Sequence, residues 1–455
     1  MRKKHLFQTK HQTIKIPPGK LITLGFLALI LVGALFLWLP ISNQQGNLPF
    51  IDALFVATSA VCVTGLSTVT VSEQFTSFGQ CILLLLIEIG GLGFMSVGIL
   101  FLIMLRKKIS FSSRLLLKDT LNIDTYAGVV KVMMFVLKIS FIIQSIGALL
   151  LSFVFIPKLG LTKGLFFSIF HAVSAFCNAG FDLFGDSLVS FTSNPLVLLV
   201  ISALIIAGGL GFLVWLDLIE YRHTKKITLH TKLALTVTLS LLLGGFIGLI
   251  LSDWQNPNFY QETVKTGDKL LNFLFLAVTP RTAGFFNGDY LKMSYAGLMI
   301  TMLLMFIGGT SGSTAGGLKT TTFGVLLLQV KSVLKGRKEA EFRQRTIPID
   351  TVMKAFVMLF LYVTLVIGAT LILFMTETVP EKAGIEYILF EVISAVATVG
   401  LSMGLTPELT VAGKIIVMCL MFIGRVGIFT VLLSLTSKEN DQGNYRYPKG
   451  KVIIG

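Results

Sequence analysis

Eight apolar runs along the chain are long enough to cross a hydrocarbon core of about 30 Å, which takes about 20 helical residues. They cover residues 21–39, 78–105, 126–156, 196–218, 231–252, 292–328, 351–375 and 412–436. Between the members of successive pairs lie four shorter apolar segments, 52–62, 163–177, 268–279 and 385–397. Segments of that length are re-entrant or interfacial rather than spanning. The pattern predicts a unit of spanning helix, short helix, extended loop and spanning helix, present four times. Its copies occupy 21–105, 126–221, 228–330 and 347–437, between a basic N-terminal stretch (1–20) and a C-terminal stretch (438–455). The first run is too long for a signal h-region and lacks a small-residue cleavage site, so it is expected to stay as a helix.

Each short segment ends in a related string: Val61-Cys62-Val63-Thr64-Gly65-Leu66, Phe176-Cys177-Asn178-Ala179-Gly180-Phe181, Pro280-Arg281-Thr282-Ala283-Gly284-Phe285 and Val396-Ala397-Thr398-Val399-Gly400-Leu401. The glycines are 115, 104 and 116 residues apart. A second string follows inside the next run, as Ile89-Gly90-Gly91-Leu92-Gly93-Phe94 and Ala207-Gly208-Gly209-Leu210-Gly211-Phe212. Its later copies are Ile307-Gly308-Gly309-Thr310 and Ile423-Gly424-Arg425-Val426-Gly427-Ile428. The distances between the two strings are 25, 28, 24 and 24 residues. Two strings recurring in step mark internal repetition.

Four such units can surround an axis. Non-helical backbone survives at membrane depth only where it is buried in protein or lines a watery path. Four loops closed by glycine would present rings of carbonyls that replace a cation's hydration shell. The candidate filter residues are Val63, Thr64 and Gly65; Asn178, Ala179 and Gly180; Thr282, Ala283 and Gly284; and Thr398, Val399 and Gly400. The short helices aim their C-terminal ends, each about half a negative charge, at the same axis. No filter string holds Asp or Glu, which favours a dehydrated monovalent cation over a divalent one. Gly90, Gly91, Gly208 and Gly209 are expected to serve close helix packing.

The sixth run is interrupted by Gly308, Gly309, Thr310, Ser311, Gly312, Ser313, Thr314, Ala315, Gly316 and Gly317, followed by Leu318-Lys319. Glycine costs a helix about 1 kcal/mol each, so an irregular loop projecting into the pore below the carbonyls is expected. A phosphate cradle does not fit, because the spacing to Lys319 misses the G-x4-G-K pattern by one residue and no strand precedes it. Arg425 stands where the other copies have Gly91, Gly209 and Gly309. A charge at that depth costs about 2.5–3.5 kcal/mol, so Arg425 should face the cavity beside the 308–317 loop, with a structural pair to Glu88 as the alternative. Asp52 and Asp268 are expected to cap short helices and to stabilise their dipoles, with cation attraction as a second role. Arg281 is expected to brace its loop from behind, and His171 to be packed rather than a ligand.

Composition agrees with the pattern. The 455 residues are 54% apolar and 13% charged, half the usual charged share, which excludes a soluble globule. The net charge of +15 would raise nucleic acid as a partner, but its distribution removes that support. Segments 1–20, 106–131, 222–232, 331–354 and 438–455 carry 27 Lys and Arg, whereas the alternate connections carry 8 and hold 13 of the 23 acids. This is the positive-inside pattern with both termini cytoplasmic, and the basic loops suit lipid headgroups. Cys62, Cys81, Cys177 and Cys419 have no ligand spacing and are expected to be small buried residues. A membrane enzyme or structural subunit is the competing class, and the carboxylate, His or metal clusters of an enzyme are missing from the spans.

The paired strings resemble those of the pore-forming subunits of the Trk/Ktr/HKT superfamily of potassium transporters, most of all bacterial KtrB/KtrD-type subunits, over essentially the whole chain. The resemblance implies an all-α polytopic membrane protein, potassium-channel-like, with eight spanning helices and four re-entrant pore helices around one pseudo-fourfold pore. It implies a filter of one glycine per repeat. Members with serine in the first repeat are associated with sodium, so Gly65 favours potassium, with a less selective sodium/potassium transporter as the alternative. It also implies that the 308–317 loop gates the pore and that Arg425 contributes to the barrier. No cofactor is expected on this chain. The implied partners are a second copy, in a homodimer, and a cytosolic RCK-type ring (KtrA/KtrC-like) that carries the regulatory ATP or ADP. The bacterial cell membrane is the implied location.

Overall fold

Helices that are apolar on every face suit lipid, where no polar stripe is needed. A computed structural model of the chain describes residues 18–44, 46, 48–93, 129–256, 259, 265–380, 383–435 and 448. The basic N-terminus, the end of the second apolar run with the basic connection after it, and most of the C-terminal stretch lie outside the described residues. Four outer helices, Pro18–Trp38, Val129–Leu159, Leu229–Asp253 and Ile349–Thr376, are the single helices long and apolar enough to cross a membrane among the described residues. Their outward faces are bare hydrocarbon, with Phe141 72%, Leu251 81% and Met375 85% exposed, as a membrane-facing surface requires.

The short helices are Phe50–Val61, Leu161–Cys177, Thr266–Val278 and Ile385–Val396. With 12, 17, 13 and 12 residues at 1.5 Å rise they reach about 18–26 Å, short of a span. They form the centre of the molecule, where Ala53, Phe55, Ala172, Phe275 and Phe390 are fully buried. Each packs on the inner helix of the preceding unit. Phe50–Val61 lies on Val411–Val426, Leu161–Cys177 on Ser77–Leu92, Thr266–Val278 on Pro195–Gly209, and Ile385–Val396 on Tyr295–Phe306. This head-to-tail contact closes an all-α polytopic membrane protein into a ring. Every inner helix begins on a side-chain cap: Thr76, Asn194, Ser294 and Thr410 accept from the N–H groups of Gly79, Val197, Gly297 and Gly413, which satisfies donors a helix start leaves open.

The sequence reading interrupts only the third inner span, and there the structure gives Tyr295–Phe306 and Thr320–Leu334. The other inner helices also stop within the second string. Pro195–Gly209 and Phe212–Thr224 meet at 93°, Ser77–Leu92 ends at Gly93, and Val411–Val426 gives way to Ile428–Leu435 at Gly427. Gly93, Gly211 and Gly427 have φ of 83°, 90° and 93°, a left-handed backbone that stops a helix. The second string is therefore a helix stop as well as a packing surface.

A hairpin, Ala340–Phe342 against Arg345–Ile347, turns through left-handed Arg343 and Gln344 in the basic connection before the fourth unit. Ala340 and Ile347 enter a small separate core with Leu233, Val237, Val325 and Val352. The cysteine expectation holds for Cys62 and Cys177 only. Cys81 and Cys419 are exposed free thiols, on a surface where lipid makes a weakly polar thiol acceptable.

Candidate functional site

The short helices of the first, second and fourth units end alike. Thr64, Ala179 and Val399 donate their N–H groups to the carbonyls of Ser59, Ser174 and Ser394, each at 2.8 Å. The residue before each is left-handed: Val63 at φ 56°, Asn178 at 60° and Thr398 at 51°. Thr282 does the same at 70° in the third unit, where Pro280 has no N–H and Ala283 donates to Thr279 O at 3.0 Å. Such a φ strains a β-branched residue by about 1–3 kcal/mol and persists only where the surroundings impose it. Hydroxyls behind the loops supply that constraint. Gly65 N–H donates to Ser59 Oγ (3.0 Å), Gly400 N–H to Ser394 Oγ (3.1 Å), Ser174 Oγ to Phe181 O (2.8 Å), and Thr279 Oγ1 to Phe285 O.

The four glycines then meet head to tail. A Cβ on Gly65 would lie 2.5 Å from Ala179 O, on Gly180 2.7 Å from Ala283 O, on Gly284 2.5 Å from Val399 O, and on Gly400 2.0 Å from Thr64 O. Each clash is with the backbone of the next loop, and the last returns to the first. The strings 63–65, 178–180, 282–284 and 398–400 are thus brought together in one closed ring. Two of their hydroxyls, Thr64 Oγ1 and Thr398 Oγ1, are buried without a partner and have lone pairs free for a cation.

Below the ring, inner-helix glycines seat on the carbonyl ends of the short helices. A Cβ on Gly90, Gly208 or Gly424 would fall 2.2, 1.8 or 2.1 Å from Val61 O, Phe176 O or Val396 O. Gly91 is closed off by Cys177 Sγ at 2.7 Å in the same sense. Gly209 departs from the packing expectation, since its nearest neighbour would be 3.5 Å away. Its carbonyl instead accepts from Thr310 N–H at 2.9 Å.

The broken third inner helix leaves and re-enters through a bridge between Ile307 and Leu318. Its loop crosses to the second unit, where Phe212 N–H donates to Gly312 O (2.9 Å) and Thr314 Oγ1 to Phe176 O (3.2 Å). Gly316 lies under the fourth filter string, with a Cβ there 2.1 Å from Thr398 Oγ1. Arg425 reaches the loop from the fourth unit, donating to Thr314 O, and holds Gly90 O and Gly91 O (2.8 Å) of the first. Lys319, which the sequence did not single out for this site, donates to Ala315 O at 2.6 Å within the loop. The loop therefore touches the second and fourth units directly, and Arg425 links it to the first.

Glu88 is not the partner of Arg425. It accepts from Gln144 Nε2 (2.9 Å) and Cys177 Sγ (3.3 Å), while the guanidinium takes carbonyls that the broken helices leave open. Arg281 lies behind its loop, donating to Thr238 Oγ1 (3.4 Å) and Gly308 O (3.5 Å). His171 is fully buried among Phe155, Phe167 and Phe184. The capping role expected of Asp52 and Asp268 is corrected, since Pro49 and Lys265 hold the cap positions, but both acids lie in the first turn, where a negative charge suits the helix dipole. There Asp52 pairs with Lys414 at 2.6 Å, tying the first short helix to the fourth inner helix. Among the described residues no three His, Cys, Asp or Glu side chains form a metal-holding group.

Comparison with known proteins gives consistent matches. The model of the TrkH family, described as cation transport protein, matches residues 3–446. A potassium/sodium uptake protein, NtpJ, from Enterococcus hirae is 53% identical over 97% of this chain and 98% of its own length. Ktr system potassium uptake protein B from Bacillus subtilis is 44% identical over 97% and 98%. The crystal structure of the potassium transporter TrkH from Vibrio parahaemolyticus superposes with TM-score 0.75 at 19% identity, covering 94% of this chain and 86% of that one, a likeness of fold.

Proposed function

The chain belongs to the TrkH family of cation transport proteins, and on that premise we propose that it takes up potassium across the bacterial cell membrane. It is a multi-pass transporter and not an enzyme. The ion passes the ring of Gly65, Gly180, Gly284 and Gly400, with the carbonyls of 63–65, 178–180, 282–284 and 398–400 replacing its water. The observation that carries this reading is the closure of that ring by backbone contacts at every junction. The names of the relatives from Bacillus subtilis and Enterococcus hirae, both uptake proteins for potassium, support the ion.

The 308–317 loop is the gate and Arg425 its latch. Opening requires release of Thr314 O from Arg425, of Thr310 N–H from Gly209, and of Gly312 O from Phe212. Both termini are cytoplasmic, as the charge distribution supports. The protein works as a homodimer under a cytosolic RCK-type ring that binds ATP or ADP, and the name "Ktr system" on one relative supports a multi-component assembly. The exposed basic residues Arg337, Lys338, Arg343 and Arg345 at the hairpin offer a surface for that contact.

Expression in a bacterium lacking its potassium-uptake systems tests the reading: growth at low potassium should return, and failure by protein present in the membrane would reject it. A less selective potassium/sodium pathway is the second reading, favoured by the name of the Enterococcus hirae relative. Competition of sodium against rubidium uptake separates the two.

A further inference from the structure

Glu391 lies on the fourth short helix, nine residues before Gly400, and is fully buried. Its Oε2 accepts from Ser402 Oγ at 2.7 Å and its Oε1 from Thr406 Oγ1. Ser402 Oγ also accepts from Gly404 N–H at 3.0 Å. The carboxylate thus clasps the segment just beyond the filter string to the back of the short helix. The ion pairs among the described residues do not include it, and a buried carboxylate without a cation is costly.

The same position in the other units shows what that cost is for. Nine residues before Gly65 and Gly284 stand Val56 and Phe275, both fully buried. Nine before Gly180 stands His171. Its Nδ1 lies 2.7 Å from Phe167 O and its Nε2 accepts from Leu183 N–H at 3.4 Å, so the imidazole also reaches over to the segment beyond its filter glycine. An apolar residue can therefore fill the position, and where a polar one stands it holds the chain past the glycine. The head-to-tail order of the ring puts Gly180 and Gly400 on one diagonal.

We propose that Glu391, with His171 opposite, fixes the spacing of the filter carbonyls along one diagonal and so sets discrimination between potassium and sodium without touching the ion. The inference rests on the carbonyl-filter reading. A carbonyl ring distinguishes ions through the number and field of the oxygens it can hold in place. All four loops are held by a hydroxyl from behind, and the two on this diagonal carry a second hold, from Glu391 and His171, that resists collapse onto the smaller ion.

Purified full-length protein in proteoliposomes tests this through rubidium uptake and the sodium concentration that halves it. In E391V, carrying the residue of the first unit, sodium should compete at roughly tenfold lower concentration, about 1.4 kcal/mol of lost discrimination. E391Q should stay near the parent, because an amide can accept from one hydroxyl and donate to the other. S402A should shift in the same direction as E391V, and the double variant should match E391V alone, since the clasp is already gone. Parental sodium sensitivity in E391V would overturn the proposal, as would a loss in E391Q equal to that in E391V, which would indicate charge rather than the clasp. If E391V does not reach the membrane, S402A decides in the same way. G400S is the reference: if it alters sodium sensitivity while E391V and S402A do not, this proposal alone falls, and if none does, the filter reading falls with it.

Discussion

Arg425 on the fourth inner helix donates to the carbonyl oxygen of Thr314, 111 residues earlier, in the loop that interrupts the third. The same guanidinium holds Gly90 and Gly91 of the first unit. A planar fork holds several carbonyls in one fixed geometry, whereas the donors of a lysine ammonium rotate freely. The cation thereby links the loop beneath the glycine ring to the end of the first inner helix, in a unit that is neither the loop's nor its own.

Replacing that residue should loosen the loop. A hydrogen bond from a charged donor contributes about 1.5–3 kcal/mol, so loss of the Thr314 contact at the low end shifts the loop's equilibrium roughly tenfold. Arg425→Ala is expected to assemble and to raise rubidium flux in proteoliposomes by about that factor, with Arg425→Lys in between. Unchanged flux from protein present at normal abundance would remove Arg425 from the gate.

Two adjacent glycines should respond differently. A Cβ on Gly208 would fall 1.8 Å from Phe176 O, whereas one on Gly209 meets nothing closer than 3.5 Å. Gly208→Ala must displace the end of the second short helix and should sharply reduce the amount of folded protein, while Gly209→Ala should be near neutral. Thermal unfolding in detergent checks the contrast. Equal melting temperatures would mean the inner helix is not seated on that carbonyl.

The Asp52–Lys414 pair joins the first unit to the fourth, with side chains only 11% and 13% exposed. Removing one partner of a largely buried pair strands the other charge, at a cost of about 1–3 kcal/mol after allowance for residual solvent. Asp52→Asn is expected to lower the melting temperature, and exchange of the two charges should restore part of the loss. An exchange no better than the single variant would show that the pair does not hold the ring closed.

Much of this was legible because repetition makes it so. The four recurring glycines, the 308–317 interruption and the place of Arg425 follow from two strings recurring in step, and the structure brings the glycines together in one ring and Arg425 to the loop. What the strings concealed was conformational. Gly93, Gly211 and Gly427 stood in the second strings without a role of their own, yet their positive φ ends the helix. Left-handed Val63 and Thr398 could not be foreseen, because β-branched residues take that backbone only under tertiary constraint. Lys414 gave no signal as the partner of Asp52 across 362 residues. Glu88, the alternative mate for Arg425 on charge alone, gave way to carbonyls at the loop and at the end of the first inner helix.

The central claim is that cations cross through the ring closed by Gly65, Gly180, Gly284 and Gly400. Gly65 is the sharpest probe, since its backbone at φ 100° and the Ala179 carbonyl 2.5 Å from its missing Cβ leave no room for a side chain. The deciding measurement is rubidium and sodium flux through Gly65→Ser in proteoliposomes. The ring predicts that the serine spoils the carbonyl geometry and that sodium then passes or competes far more readily than in the parent. Parental selectivity in a folded, active Gly65→Ser protein would contradict it.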